Sequence, residues 1–478
     1  MSRVLGLGYT DWYPSLPMVT FKKAVERFFE SPAELLEETI KVTRKEEKTI
    51  FNKKPLKLAE EYFHNLGPGL TTGAADDDPS GIATYSQAGA QFGFQLLWVS
   101  LFSFPFMAVV QEMCARIGIV TGHGLAANIR RHYSMGALYF ICVLLFVANT
   151  LNIAADLGAM AASARLLLPE ANLVLLVAVF ALFSMLLQIF TTYARYAKFL
   201  KWMALALLSY VFTAFAVKLN WGDALYHTVL PSLTFSKDQL FLLCAVLGTT
   251  ISPYLFFWQT SQEIEEHRHI NGEEHVTLHQ KGVHDEAELK SDIKKMRIDV
   301  WSGMFFSNLV MFFIIAACAA TLYVHGITNI ATADQAALAI RPFGGELTYF
   351  FFALGIIGTG LLAVPVLAGS SAYAIAESFG WKRGLYHKLT QAYAFYGVII
   401  VSMVIAVIAN VAGLDPIKGL IYSAVANGLV APVLLFFIVR LSSSMRHHGN
   451  HPFITFLGWC ITVLMAVSGI AAIATLFF

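Results

Sequence analysis

Apolar residues fall in eleven long runs along this chain, separated mostly by short polar connections. The runs cover residues 61–88, 92–115, 135–167, 173–191, 196–218, 239–261, 298–323, 346–378, 391–412, 417–439 and 453–477. A helix that crosses a bilayer needs about 20 mostly apolar residues. The pattern therefore predicts an all-α integral membrane protein with about eleven transmembrane helices. The third and eighth runs are long enough to tilt or to continue past the bilayer. Two connections are long: the N-terminal segment 1–60 and the stretch 262–297. Within 17–50, apolar side chains such as Phe21, Val25, Phe28 and Leu36 form one face of an amphipathic stretch. That face is expected either on the membrane surface or against the ends of the bundle.

Composition agrees with this class. The 478 residues are 57% hydrophobic and 14% charged, against about 45–50% and 25% in soluble domains. Mean hydropathy is +0.61. A soluble multidomain enzyme, a disordered chain and a disulfide-stapled secreted module are all disfavoured. A net charge of +1 gives no basic excess for nucleic acid. Cys114, Cys142, Cys244, Cys318 and Cys460 lie in apolar stretches without ligand spacing and read as small buried hydrophobes. The polar, mixed-charge segment 1–60 does not read as a signal peptide. With the N-terminus in the cytoplasm, 28 of the 33 Lys and Arg fall on the cytoplasmic side of eleven spans. That asymmetry predicts the N-terminus cytoplasmic and the C-terminus outside, and the plasma membrane is the expected location. The 262–297 connection holds nine acidic residues and five histidines, His267, His269, His275, His279 and His284. It reads as a solvated cytoplasmic linker, with a metal-sensing loop as the alternative.

The informative places are those where the apolar pattern breaks. The first run contains Asp76-Asp77-Asp78-Pro79-Ser80-Gly81. Ionisable residues inside a span are expensive and point to function. Pro79 removes a backbone donor and Gly81 lowers helix preference. The first helix is predicted to break here, leaving free carbonyls and negative charge near mid-membrane, which attracts a cation. The sixth run carries a matching lesion at Thr249-Thr250-Ile251-Ser252-Pro253-Tyr254. Pro253 frees a carbonyl one turn earlier, that of Thr249. Two interrupted helices five spans apart point to a 5+5 inverted-repeat transporter. Its first repeat would span 61–218 and its second 239–439, with helix 453–477 added. Asp78, beside the proline, is the best ligand candidate, with Asp76 and Asp77 guarding the vestibule. Asp156 in the third run could relay protons or pair with Arg165 or Lys198. Asn149, Asn152 and Asn427 are expected to make interhelical hydrogen bonds. Glu112 is expected to pair with Arg116, and Glu377 with Lys382 or Arg383.

These residues resemble the Nramp (natural resistance-associated macrophage protein) family of divalent-metal transporters. The likeness rests on Gly67-Pro68-Gly69, Asp78-Pro79, the run from Gln87 to Trp98, the run from Ala115 to Gly122, Ala155-Asp156-Leu157, Pro253 and Phe352-Ala353-Leu354-Gly355. It implies the inverted-repeat amino-acid symporter fold and alternating access. The departures bear on substrate. Gly81 stands where the family has an Asn ligand, and Ser252-Pro253-Tyr254 where it has Met-Pro-His. Gln259 replaces a second His, Asn149 and Ala159 replace acidic residues, and Ala424 replaces a Gln. Loss of the thioether leaves oxygens alone, and loss of Asn and Gln predicts a larger cavity. Such a site suits Mg2+, which keeps several waters. The chain thus looks like the Nramp-related magnesium transporter branch, passing Mn2+ as well, with weak or absent proton coupling. Asp78, Thr249 and Ser252 would hold the ion with Asp76 and Asp77 nearby. Asp156, Tyr254, Gln259 and Asn427 are placed as gating or relay positions. The alternative is a proton-coupled Mn2+/Fe2+ importer. No enzyme chemistry, cofactor or protein partner is implied beyond the transported ion and the lipid.

Overall fold

A computed structural model of the chain describes residues 66–234, 236–271, 286–330, 333–413, 416–445 and 449–477. The segment 1–60 and the centre of the 262–297 connection lie outside the described residues. The described residues of 62–450 and 454–478 make one compact unit.

That unit is helical throughout, with no strand among the described residues. The first run is two helices, α1 (Pro68–Asp76) and α2 (Pro79–Phe92). A 3-10 turn at Gly93–Leu96 leads into α3 (Trp98–Thr121) and the short α4 (Leu125–His132). The third and fourth runs are α5 (Met135–Leu167) and α6 (Leu173–Phe190). The fifth is α7 (Tyr193–Met203) and α8 (Leu208–Ala216), joined by a 3-10 turn at Ala204–Leu207. A short α9 (Trp221–Val229) precedes the sixth run, which is α10 (Lys237–Thr250) and α11 (Pro253–Asn271). The last five are α12 (Glu286–Thr321), α13 (Ala333–Phe379), α14 (Tyr393–Val411), α15 (Pro416–Ser443) and α16 (Pro452–Phe477). The connection read as a linker at 262–297 is therefore helical at both ends. α13 is bent at Gly345, whose φ of 80° is outside the helical range.

Local chemistry explains many boundaries. α1, α2, α11, α15 and α16 each begin at a proline, which needs no N–H at that position and has its φ preset for a helix. Asn172 and Ser236 cap α6 and α10 through their side chains. Among the described residues nine helical runs are long and apolar enough to cross a membrane. The first predicted span is not among them because its halves have only 9 and 14 residues. Large apolar side chains face outward, with Phe140 and Phe190 about 70% exposed, as a lipid-facing exterior requires.

The interior is held by close helix contacts. α5 runs along α13, and α1 and α2 both lie against α12. A Cβ at Gly69 would lie 2.5–2.7 Å from the backbone of Asp299 and Val300. Gly73 likewise meets the backbone of Gly303. Small residues let these helices approach more closely than any side chain permits. The predicted Glu112–Arg116 pair is present at 2.7 Å. Glu112 also accepts from Arg297 at 2.9 Å and from the Trp301 indole at 2.8 Å, so it ties α3 to α12. Glu112→Ala would strip a buried network of its one anion. The expected loss is about 3 kcal/mol, read as a lower thermal unfolding midpoint in detergent with Glu112→Asp nearer the parent. Glu377 pairs with Arg383 at 3.0 Å, one of its two expected partners.

Candidate metal site at the paired helix breaks

α1 ends at Asp76, and the chain leaves helical geometry at Asp77 (φ −85°, ψ 52°) and Asp78 (φ −68°, ψ 167°). Asp78 is the N-cap of α2. Its Oδ1 accepts from the Gly81 amide at 2.7 Å and the Ser80 hydroxyl at 2.6 Å. Its Oδ2 accepts from Asn152 Nδ2 on α5 at 3.2 Å. The cap places a carboxylate at the positive end of a helix in the protein interior. Asp76 accepts from the Ser307 hydroxyl of α12 at 3.1 Å through Oδ2, while its Oδ1 and both oxygens of Asp77 have no hydrogen-bond partner.

The second break lies between Thr250 and Pro253. Ser252 donates its hydroxyl to the Thr249 carbonyl at 2.6 Å and the Gly248 carbonyl at 3.3 Å. The carbonyl that Pro253 frees is thus met by the side chain immediately before the proline, and the hydroxyl oxygen keeps its lone pairs. The Tyr254 phenol reaches across to donate to the Ala75 carbonyl at 2.8 Å. Tyr85 and Thr250 hydroxyls lie 3.3 Å apart between α2 and α10. These two contacts bring the breaks together.

Other expected positions are placed differently. Asp156 is buried one turn beyond Asn152 on α5, and neither of its oxygens has a hydrogen-bond partner. It makes no ion pair with Arg165 or Lys198 among the described residues. Gln259 turns along its own helix to Glu263 at 2.7 Å. Asn427 is buried on α15 with its carbonyl oxygen unpartnered. Asn149 makes an interhelical bond to Ser371 at 3.0 Å. A side chain at Gly81 would meet close neighbours. A Cβ there would lie 3.3 Å from the Asp76 carbonyl, 3.4 Å from Asp78 Oδ1 and 3.5 Å from the Tyr85 ring. Tyr85 and the turn itself close around the glycine.

Asp76, Asp77, Asp78 and Asp156 are each 0–2% exposed. None forms a salt bridge with a basic side chain among the described residues. Four acidic groups out of water without a cation are unfavourable. Ionised, these groups call for a counter-charge that the described residues do not supply. Among the described residues no cluster of three or more His, Cys, Asp or Glu forms a ready-made cage. A bound ion would therefore depend on backbone carbonyls, hydroxyls and water as well as carboxylate.

Sequence reasoning assigned no role to Ser80, Ser307 or Tyr85. Ser80 carries a local signal, since a hydroxyl two residues after an N-cap Asp is positioned to bond it. Ser307 meets Asp76 across 231 residues and has no local signal.

A family model described as natural resistance-associated macrophage protein-like matches residues 69–475. A divalent metal cation transporter MntH of Caldanaerobacter subterraneus is 25% identical over 428 residues, covering 87% of this chain and 94% of that protein. Another MntH, from Klebsiella pneumoniae, is 25% identical over 410 residues, covering 84% and 91%. Among solved structures, the Eremococcus coleocola manganese transporter in complex with an aromatic bis-isothiourea compound superposes with a TM-score of 0.68. It has 17% identity and covers 88% of each chain. MHP1, a nucleobase-cation-symport-1 family transporter in a closed conformation, superposes with a TM-score of 0.55 at 15% identity, covering 86% and 90%. The fold is thus the inverted-repeat symporter type with helices one and six broken.

Proposed function

The chain belongs to the Nramp family, and from that premise we propose that it carries Mg2+, and Mn2+ with it, across the membrane by alternating access without obligatory proton coupling. The observation that carries this reading is the chemistry at the paired breaks. A buried Asp78 carboxylate, the Thr249 carbonyl and the Ser252 hydroxyl are all hard oxygen donors. No thioether or imidazole belongs to this set. Soft transition metals gain little from such donors, whereas Mg2+ and Mn2+ accept them. Asp78 serves as the main charged ligand. Thr249 and Ser252 offer oxygen or a water contact from the facing break. Asp76 and Asp77 hold negative charge beside the path and raise the local cation concentration. Asp156, one turn from Asn152, supports the ion electrostatically. Tyr254 holds the two breaks in register by its bond to Ala75.

Entry then runs down the ion's own gradient. Two positive charges falling through 100 mV release roughly 4.6 kcal/mol, which suffices without a co-transported proton. The Lys and Arg asymmetry of the connections supports a cytoplasmic N-terminus. A proton-coupled Mn2+/Fe2+ importer is the second reading, favoured by the buried Asp156, whose oxygens have no hydrogen-bond partner.

Proteoliposomes containing a metal indicator and a pH dye test both. Mg2+ and Mn2+ are expected to enter with no accompanying change of internal pH, at a rate that varies less than about twofold between pH 6 and 8. Acidification locked to metal entry would establish the coupled reading. Entry of Mn2+ alone, with Mg2+ neither carried nor competing, would overturn the magnesium assignment.

A further inference from the structure

We infer that Asp299 is a positioning residue that holds the first half-helix in its seat and so keeps the ion path closed on the membrane face where Leu66 lies. The inference rests on the reading of the chain as an alternating-access transporter. α1 is nine residues long and all nine are buried. A helix this short has little stability of its own, so its place is set by its anchors. Its N-cap residue, Gly67, has no side chain to cap it. Instead the Asp299 carboxylate of α12 accepts from the Gly67 amide at 2.8 Å, the Gly69 amide at 2.6 Å and the Leu70 amide at 3.1 Å. Pro68 has no N–H, and the Thr71 amide donates to the Gly67 carbonyl at 3.3 Å. Every donor at the start of α1 is thereby accounted for. On the other flank Lys201 of α7 donates to the Leu66 carbonyl at 2.7 Å.

A cap from the residue just before the helix would stabilise α1 wherever it moved. A cap borrowed from α12 stabilises it only in this seat. That is a differential interaction with one conformation, which is what shifts a conformational equilibrium. The motif Gly67-Pro68-Gly69 suits the purpose. It presents bare amides to Asp299, and Gly69 leaves no Cβ to hold the helices apart. At the far end the non-helical Asp77–Asp78 link lets α1 turn without carrying α2 along. Since α1 runs from Leu66 to the carboxylates, lifting it uncovers a path from that face to the ion.

The test is side-resolved labelling of full-length protein in liposomes. The five native cysteines are replaced by serine, and a reporter is introduced by Ala74→Cys on α1, where the side chain is 2% exposed. A membrane-impermeant maleimide is applied to one face at a time. Asp299→Ala is expected to raise labelling about fivefold from the Leu66 face and leave the opposite face unchanged. Asp299→Glu is expected to return it to the parent level. Lys201→Met, which removes the second hold at a half-buried side chain, is expected to shift labelling the same way and decides the matter if Asp299→Ala does not fold. Parent-level labelling in the folded variants, or an equal rise from both faces, would overturn the inference. The readout needs no metal flux. Labelling that shifts while Mg2+ and Mn2+ fail to cross would leave the latch standing and remove the transport reading, and the converse holds as well.

Discussion

Asp78→Ala is expected to lower Mg2+ uptake in proteoliposomes about a thousandfold while the protein still folds. The magnitude follows from the charge it removes. Two unit charges about 4 Å apart interact by about 4 kcal/mol at an effective dielectric constant of 20, and each 1.4 kcal/mol is about tenfold. Asp78 has a second job as the N-cap of α2, where it accepts from Gly81 and Ser80. Losing a cap costs about 1 kcal/mol, too little to unfold a protein of this size. Asp78→Asn separates the two jobs. It keeps a capping oxygen and removes the charge, so it should transport as poorly as Asp78→Ala but melt close to the parent. Uptake within about threefold of the parent in both variants would move the ion away from this break.

The second large effect is expected from Ser252→Met. The Ser252 hydroxyl occupies the Thr249 carbonyl at 2.6 Å. A thioether cannot donate, so the substitution both frees that carbonyl and places a soft donor beside it. Preference for Cd2+ over Mg2+, measured by competitive uptake, should rise by at least about tenfold, most of it from weaker Mg2+ handling. A selectivity ratio that does not move would mean that Ser252 faces away from the ion and that donor softness at this position has no bearing on the cargo.

Much of the fold can be read from local chemistry. The third span coincides with α5 because an apolar run of that length between polar ends has only one way to satisfy its backbone in lipid. Both breaks are legible because Pro79 and Pro253 cannot donate within a helix. Other features escape such a reading. α12 begins at Glu286, well before its apolar core, because polar residues continue a helix as readily as apolar ones once it leaves the bilayer. The fifth span changes to a 3-10 turn at Ala204–Leu207 with neither Pro nor Gly to announce it. At the site, the Asp-Pro cap of α2 is a local signal. The Asn152 bond to Asp78 and the Ser307 bond to Asp76 cross 74 and 231 residues. Such pairs are chosen by packing. The neighbours of Gly81 are chosen in the same way, with the Tyr85 ring of the next turn 3.5 Å from where a Cβ would stand.

The unbalanced carboxylates around the first break bear on the protein's life in the cell. On the proposed reading, cargo completes the electrostatics of the interior, so the loaded form outlasts the empty one by mass action. Chains made during metal scarcity would then open more often and be removed sooner by membrane proteases. Abundance would follow the supply of the ion with no dedicated sensor, through nothing more than the turnover of unfilled copies.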